Sequence, residues 1–252
     1  MTVSSDTQFN ANAEKYAVSH VHKFGASLPV LLEVAQPILS DRALDVATGT
    51  GNTALTIAPF VQHVIGLDMA VKMLEQAKKR AFEEGFSNAD FLEGSAEALP
   101  FDDSSFSLVM SRHAPHHFRD VPTFLLEVAR VLEPGGRFVM ADQITLEAQN
   151  KTWIDEFQRT RDPSHFSQRT IEEWRDLARE AGLPWITHRI VLYRLEFDWW
   201  TAQSGCTPER LEKLNAMLEH APSEIKLERK LDGSPLAHHE PMLVVRLEKP
   251  RG

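Results

Sequence analysis

Two stretches of this chain hold residue types at spacings that could do chemistry. The first runs Ala43-Leu44-Asp45-Val46-Ala47-Thr48-Gly49-Thr50-Gly51-Asn52-Thr53-Ala54, an apolar segment entering a turn with two glycines and then a helical pattern. Gly49 permits a tight turn, and Gly51 would let a ligand approach the backbone without meeting a Cβ. The helix that follows offers unpaired N–H groups and a positive dipole end, suited to a carboxylate or phosphate. Asp68 lies 17 residues past Gly51, directly after the apolar run His63–Leu67. A carboxylate at the end of an adjacent strand can accept hydrogen bonds from both hydroxyls of a ribose. The plain alternative is a structural turn with no ligand.

The second stretch is Ser111-Arg112-His113-Ala114-Pro115-His116-His117-Phe118, at the carboxyl end of an expected central strand, the edge where open α/β sheets bind ligands. Three readings compete. His116 or His117 is a general base, since a reference pKa of about 6.5 suits proton removal near neutrality. His113, His116 and His117 hold a metal, since i, i+3 and i+4 share a helical face. Or they shape and pack a pocket. Pro115 disturbs the helix that the metal reading requires, so no metal is expected. Asp142, at the end of the next strand, could orient the base through its second ring nitrogen.

Three further clusters are weaker. Arg161-Asp162-Pro163-Ser164-His165-Phe166 reads as a lid that meets substrate through Arg161, His165 and Phe166, or else as a solvated loop. Phe197-Asp198-Trp199-Trp200 reads as core packing, with an aromatic pocket wall or a homodimer interface as its other uses. His238-His239-Glu240 has no third ligand at helical spacing and reads as loop.

These residues need elements to position them. Ala43–Ala47, His63–Leu67, Phe106–Met110 and Arg137–Ala141 are short apolar runs bounded by turn signals, as buried parallel strands are. Between them, Val71, Leu74, Ala77, Ala81 and Phe82 share one helical face, and Phe124, Leu125, Val128, Ala129 and Leu132 another. Residues 147–168 are polar and Arg-rich without a clean period. Thr170-Ile171-Glu172-Glu173 is a capping box, and Thr207-Pro208 opens a further helix. Val191, Tyr193, Leu195 and Phe197 alternate like a strand, and Met242–Leu247 reads as the last one. Strands alternating with helices imply βαβ units and a parallel sheet.

Bulk properties bound the function. With 252 residues, 42% of them hydrophobic, the chain can bury a core without staples. A net charge of -9 argues against general nucleic-acid binding, which needs a basic face. Cys206 is the only cysteine, so neither an intramolecular disulfide nor a CxxC motif exists. The first residues lack the basic and apolar regions of a signal peptide, and no apolar run nears the ~20 residues that span a bilayer. No membrane insertion and a reducing cytoplasm are the expectations.

Gly49-Thr50-Gly51-Asn52-Thr53-Ala54 also satisfies the dinucleotide fingerprint, so a nicotinamide oxidoreductase must be weighed. Against it, Asp45 sets a carboxylate near where a pyrophosphate would sit, whereas a sulfonium compound with an ammonium group welcomes that charge. Neither Tyr16 nor Tyr193 has a Lys four residues on, so the common Tyr/Lys hydride-transfer pair is missing.

Four stretches then carry a resemblance: Leu44–Gly51, Gly66-Leu67-Asp68-Met69, Gly94-Ser95-Ala96-Glu97-Ala98-Leu99-Pro100-Phe101, and Arg130–Arg137. With the lead-in Phe9–Tyr16, they make residues 9–145 resemble the class I S-adenosylmethionine-dependent methyltransferases. The likeness is to the branch of quinone-biosynthesis and other small-molecule enzymes. That resemblance implies an α/β, Rossmann-like doubly wound, mostly parallel sheet with helices on both faces and a small cap or lid insertion. Residues 1–252 would form one domain: a helical lid over 1–40, a cofactor core over 41–145, and a substrate-side insertion with the last strands over 146–252.

The resemblance also implies roles. Ala47, Gly49 and Gly51 would face the amino-acid part of S-adenosylmethionine, with Asp45 ordering the loop or holding its ammonium group. Asp68 would bind ribose, Met69 would pack on adenine, and Ser95, Ala96 and Glu97 would read the adenine edge. Ser111 and Arg112 would border the methionine moiety, and Tyr16 would close over the cofactor. In similar sugar O-methyltransferases a histidine pair and a strand-end acid are implicated, which favours the His116/His117–Asp142 set. The implied reaction is in-line transfer of a methyl group to O, N or C of a small molecule. A nicotinamide oxidoreductase and a repurposed S-adenosylmethionine-binding protein are the rivals.

Overall fold

Aliphatic runs of period two pair here into one sheet, and the segments of helical period cover both its faces. The computed structural model describes residues 5–17, 25–231 and 237–251, with the side chains of 5–6 and 14–17 outside that description. Along the chain come α1 (Ser5–Ala17), α2 (Ser27–Ala35), β1 (Arg42–Val46), α3 (Asn52–Ile57), β2 (His63–Asp68) and α4 (Val71–Glu84). Then follow β3 (Ala89–Glu93), β4 (Phe106–Arg112), α5 (Val121–Val131), β5 (Leu132–Gln143), α6 (Lys151–Arg161) and α7 (Ile171–Glu180). The last third holds β6 (Trp185–Glu196), α8 (Phe197–Gln203), α9 (Pro208–Glu219), α10 (Ser223–Glu228) and β7 (Ala237–Glu248).

The strand order is β3-β2-β1-β4-β5-β7-β6. The first five strands in that order pair in parallel, and β7 runs antiparallel to both β5 and β6. The dinucleotide-binding order is 3-2-1-4-5-6 with no strand inserted. The reversed β7 therefore separates this fold from the nicotinamide enzymes that share its glycine turn.

Successive residues of the central strands enter opposite cores, as their period requires. Leu44, Val109, Phe138 and Leu243 pack beneath α5 and α7 with Phe124, Leu125 and Trp174. Ala43, Leu108, Val139 and Val244 pack on the other face with Leu31, Ile57 and Ala77. Phe124 and Phe138 meet edge to face at 5.7 Å, both fully buried. Each such side chain contributes about 1.5–3 kcal/mol by leaving water.

Several expectations are corrected. Ala89–Glu93 shows no apolar run because β3 is an edge strand that buries only Phe91. Residues 147–168 hold α6, whose buried face is partly polar: Asp155, Gln158 and Thr160 join Ile154 and Phe157. Phe197 opens α8 instead of extending β6. Residues 238–240 are strand, with His238 and Glu240 each 2% exposed, because β7 pairs with β6 there and Arg229 neutralises Glu240 at 2.5 Å. The capping box on α7 is formed reciprocally: Glu173 N donates to Thr170 Oγ1 (3.2 Å) and Thr170 N to Glu173 Oε2 (2.8 Å).

Candidate active site

A cavity of about 320 Å³ opens at the carboxyl ends of the parallel strands. Its floor is the turn after β1. Ala47 sits at φ +57°, unusual for a residue with a Cβ, and Gly49 at φ +55°. A Cβ built on Gly49 meets no atom within 4 Å and would fill free space at the cavity wall. Asp68 ends β2 beside this turn. Its Oδ2 accepts from Gly49 N (2.7 Å) and its Oδ1 from Ala70 N (2.8 Å). Burial raises this carboxyl above its usual range, while the N–H groups of Ala70, Gly49 and Met69 pull it back. Each oxygen keeps a lone pair for a further donor. Met69, Ala96 and Glu97 continue the wall.

Four residues expected at the cofactor stand behind that wall. Asp45 Oδ2 accepts from Thr48 Oγ1 (2.6 Å) and Ala54 N (3.1 Å), fixing the loop, and burial pushes its carboxyl up to about 7. Its Oδ1 is buried with no hydrogen-bond partner. Gly51 needs its missing Cβ for packing, since a Cβ would lie 3.1 Å from Ala77 Cβ and from the Phe91 ring. Ser95 Oγ donates to Glu97 Oε2 (2.9 Å) and so steadies it. Ser111 Oγ donates to Val46 O (2.9 Å), joining β4 to β1. The side chain of Tyr16 lies outside the described residues.

Arg112 reaches the cavity from the end of β4 and donates through Nε to Thr53 Oγ1 (3.2 Å) and through Nη1 to Ser27 Oγ (3.4 Å). Tyr193 Oη donates to the same serine oxygen (2.7 Å), and Ser27 N donates to Tyr193 Oη (2.7 Å). His113 follows at φ +55°, a second sparsely populated conformation on the rim. Its ring stands edge-on to Tyr193 at 5.5 Å.

His116 and His117 form a single turn of 3₁₀ helix with Pro115. Their ring centroids are 4.1 Å apart. His116 Nδ1 lies 2.6 Å from Asp142 Oδ1. Burial holds the His116 ring well below its usual pKa and pushes Asp142 up to about 7. Burial thus disfavours charge on both partners, on the imidazolium as on the carboxylate. His117 Nδ1 lies 3.1 Å from Ser164 O, a carbonyl that only accepts, so Nδ1 carries the proton and Nε2 of the neutral ring does not. Burial lowers His117 to about 3. Asp162 Oδ1 accepts from both Ser164 N (2.9 Å) and Ser164 Oγ (2.6 Å), bracing that segment.

His165 is 1% exposed and does not line the cavity; its ring centroid lies 5.5 Å from that of His116, and its Nε2 2.8 Å from Asp155 Oδ1. Arg161 and Phe166 line the cavity, as do Trp199 and Trp200. The aromatic run at 197–200 therefore enters core and wall. Glu240 and Tyr193 are wall residues that sequence reasoning left out. Tyr193 was legible only as an inward strand position.

An adenosyl sulfonium amino acid needs a carboxylate for its ribose, an apolar face for adenine, an anion for its ammonium group and a cation for its carboxylate. Asp68, Met69 with Ala96, and Arg112 line the cavity and match three of those needs, while Asp45 lies behind the wall and does not line it. Among the described residues, no group of three or more His, Cys, Asp or Glu side chains could hold a metal ion, and no helix is long and apolar enough to cross a membrane.

The reversed β7, the acid closing β2 and the cavity above the glycine turn define a methyltransferase of the α/β class. Comparison with known proteins agrees. A methyltransferase-domain profile matches residues 44–140. The uncharacterized methyltransferase YcgJ of Bacillus subtilis is 35% identical over 228 residues, 89% of each chain. The YcgJ crystal structure superposes with a TM-score of 0.86 at 32% identity, covering 90% of this chain and 99% of that one. A demethylmenaquinone methyltransferase of Lactococcus lactis is 42% identical over 99 residues, 38% of this chain and 39% of that protein. The chain belongs to the class I S-adenosylmethionine-dependent methyltransferases.

Proposed function

We propose that this protein methylates an oxygen, nitrogen or carbon of a small molecule, with His116 or His117 taking the proton of the nucleophile. One observation carries the reading: Asp68, clasped by Gly49 and Ala70, shares a cavity with two neutral, anchored imidazoles.

S-adenosylmethionine, when bound, supplies an electrophilic methyl group on a positively charged sulfur. Asp68 takes the ribose hydroxyls, Met69 and Ala96 flank the adenine with Glu97 at its edge, Arg112 serves the carboxylate of the amino-acid end, and Asp45 orders the loop beneath it. Ser95 and Ser111 act through the groups they hold. Phe9 of α1 packs on Ala70 and Met73 and meets the His117 ring edge-on at 5.0 Å, so α1, with Tyr16 near its end, is the lid of residues 1–40. Residues 41–145 then serve as the cofactor core, and 146–252 as the acceptor side.

Holding nucleophile and methyl carbon in line contributes on the order of 7–11 kcal/mol in favourable cases. Proton removal adds typically ~10²–10⁴-fold. A weakly basic histidine suffices, because the nucleophile becomes strongly acidic only as its new bond to carbon forms. The lone, half-buried Cys206 fits a reducing cytoplasm.

Incubation with methyl-labelled S-adenosylmethionine and a panel of phenols, amines and carbon acids tests this. Label in an organic product supports it. Binding of NADH in preference to S-adenosylhomocysteine contradicts it.

A further inference from the structure

The acceptor end of the cavity has a chemistry of its own. Arg161 closes α6 and lines the wall. Its Nε donates to Trp200 O (3.1 Å), and its guanidinium carbon stands 4.8 Å from the centroid of the Trp200 ring. The inner nitrogen and the ring face thus fix the side chain. Nη1 and Nη2 are left with no hydrogen-bond or ion-pair partner among the described residues. The Arg161 charge helps hold the Asp162 carboxyl low, at about 2, but no ion pair joins Arg161 to Asp162 or Glu240 among the described residues. Asp162 spends Oδ1 on Ser164, and Glu240 is closed by Arg229 (2.5 Å) and Gln158 (2.9 Å).

A guanidinium with two free donors on one edge is shaped for a bidentate oxyanion, and a low-dielectric wall strengthens that pairing. Apolar side chains share the cavity with it: Trp199, Trp200 and Phe166, with Leu195 and Met242, are among the lining residues. Aromatic side chains around one anchored cation accommodate a planar ring bearing an acidic group, and such a ring pairs with them edge-on or offset.

We infer that the acceptor is a planar aromatic molecule carrying an oxyanion, carboxylate or phosphate, which Arg161, held by the buried Trp200, grips while Trp199 and Phe166 flank the ring. Arg161 is then a specificity-determining residue, and neutral aromatics of the same shape are discriminated against. The inference rests on the methyltransferase reading for its premise that this end of the cavity receives the acceptor.

The test is calorimetry on the full chain saturated with S-adenosylhomocysteine, titrated with 6-hydroxy-2-naphthoate, 2-naphthyl phosphate and neutral 2-naphthol. A hydrogen-bonded charge contributes about 1.5–3 kcal/mol, so at least one anionic probe should bind about 10- to 100-fold tighter than 2-naphthol. Which of the two does so identifies the oxyanion. Arg161→Gln should erase that preference while leaving 2-naphthol and S-adenosylhomocysteine binding unchanged. If the variant does not fold, the comparison of probes on the unaltered protein decides alone. Equal binding of acid and neutral probes, a preference that survives Arg161→Gln, or no naphthyl binding to the loaded protein would overturn the inference and leave the methyltransferase reading intact. Failure of S-adenosylhomocysteine itself to bind would sink both.

Discussion

His116 Nδ1 and Asp142 Oδ1 stand 2.6 Å apart, joined beyond the ends of two neighbouring parallel strands, with Asp142 buried and His116 at the cavity wall. Which atom holds the proton decides what the imidazole can do. With Asp142 protonated, its O–H donates to Nδ1, and the ring proton is on Nε2. With Asp142 ionised, Nδ1–H donates to the carboxylate, and Nε2 is free to accept.

A pH dependence follows. Burial raises Asp142 to about 7, so the accepting form of His116 gains population as pH rises through that value. If His116 is the base, kcat should climb through about pH 7 and level off. Asp142→Asn should remove that rise and lower kcat by ~10²-fold or more by favouring the wrong tautomer. A flat profile in the unaltered enzyme would contradict the assignment.

The two histidines can be separated by substitution. His117 has its tautomer set by a carbonyl and its ring in contact with Phe9, whereas His116 depends on Asp142. His116→Ala or His117→Ala should cut turnover by ~10²–10⁴-fold while cofactor affinity stays within a few-fold. Full turnover in both variants and in Asp142→Asn would remove the base from the mechanism.

Much of this site is legible in the sequence. The glycine turn and Asp68 were readable because a strand, a turn and the next strand are local events with strong residue preferences. His116 and Asp142 were readable because consecutive parallel strands end on one edge of the sheet. What escaped notice depends on distant partners. Glu240 is buried because Arg229 accompanies it, and Tyr193 matters because its hydroxyl meets Ser27, 166 residues away. Gly51 looked like a ligand-facing glycine, but the pressure on it comes from Ala77 and Phe91. A glycine in a turn signals close approach without saying what approaches.

That distinction yields a stability prediction. A Cβ on Gly66 would lie 2.7 Å from the Phe91 ring and 2.8 Å from Thr48 Cγ2. Gly66→Ala should therefore cost about 1–3 kcal/mol by overpacking and displace the turn that carries Gly49. Denaturant titration and cofactor titration should both register the loss. An unchanged midpoint would mean the strand accommodates the methyl group.

The buried ion pair of Glu240, at the cavity wall, with Arg229 makes a further one. Arg229→Met leaves Glu240 charged and uncompensated, and should destabilise the fold by about 3–5 kcal/mol. Burial raises Glu240 and Arg229 lowers it, with a net result of about 2. A folded pKa below the unfolded value means this contribution is present above about pH 4.5 and lost as pH falls through about 2. The Arg229→Met penalty should thus shrink in acid, as thermal melts across that range would show.

The most direct measurement is isothermal calorimetry of the purified protein with S-adenosylhomocysteine, repeated on Asp68→Ala. Saturable one-site binding that weakens by about 10²-fold or more in the variant, consistent with losing two hydrogen bonds to a charged group, is the expected result. No binding to the unaltered protein, or equal affinity in the two, would contradict the account at its base.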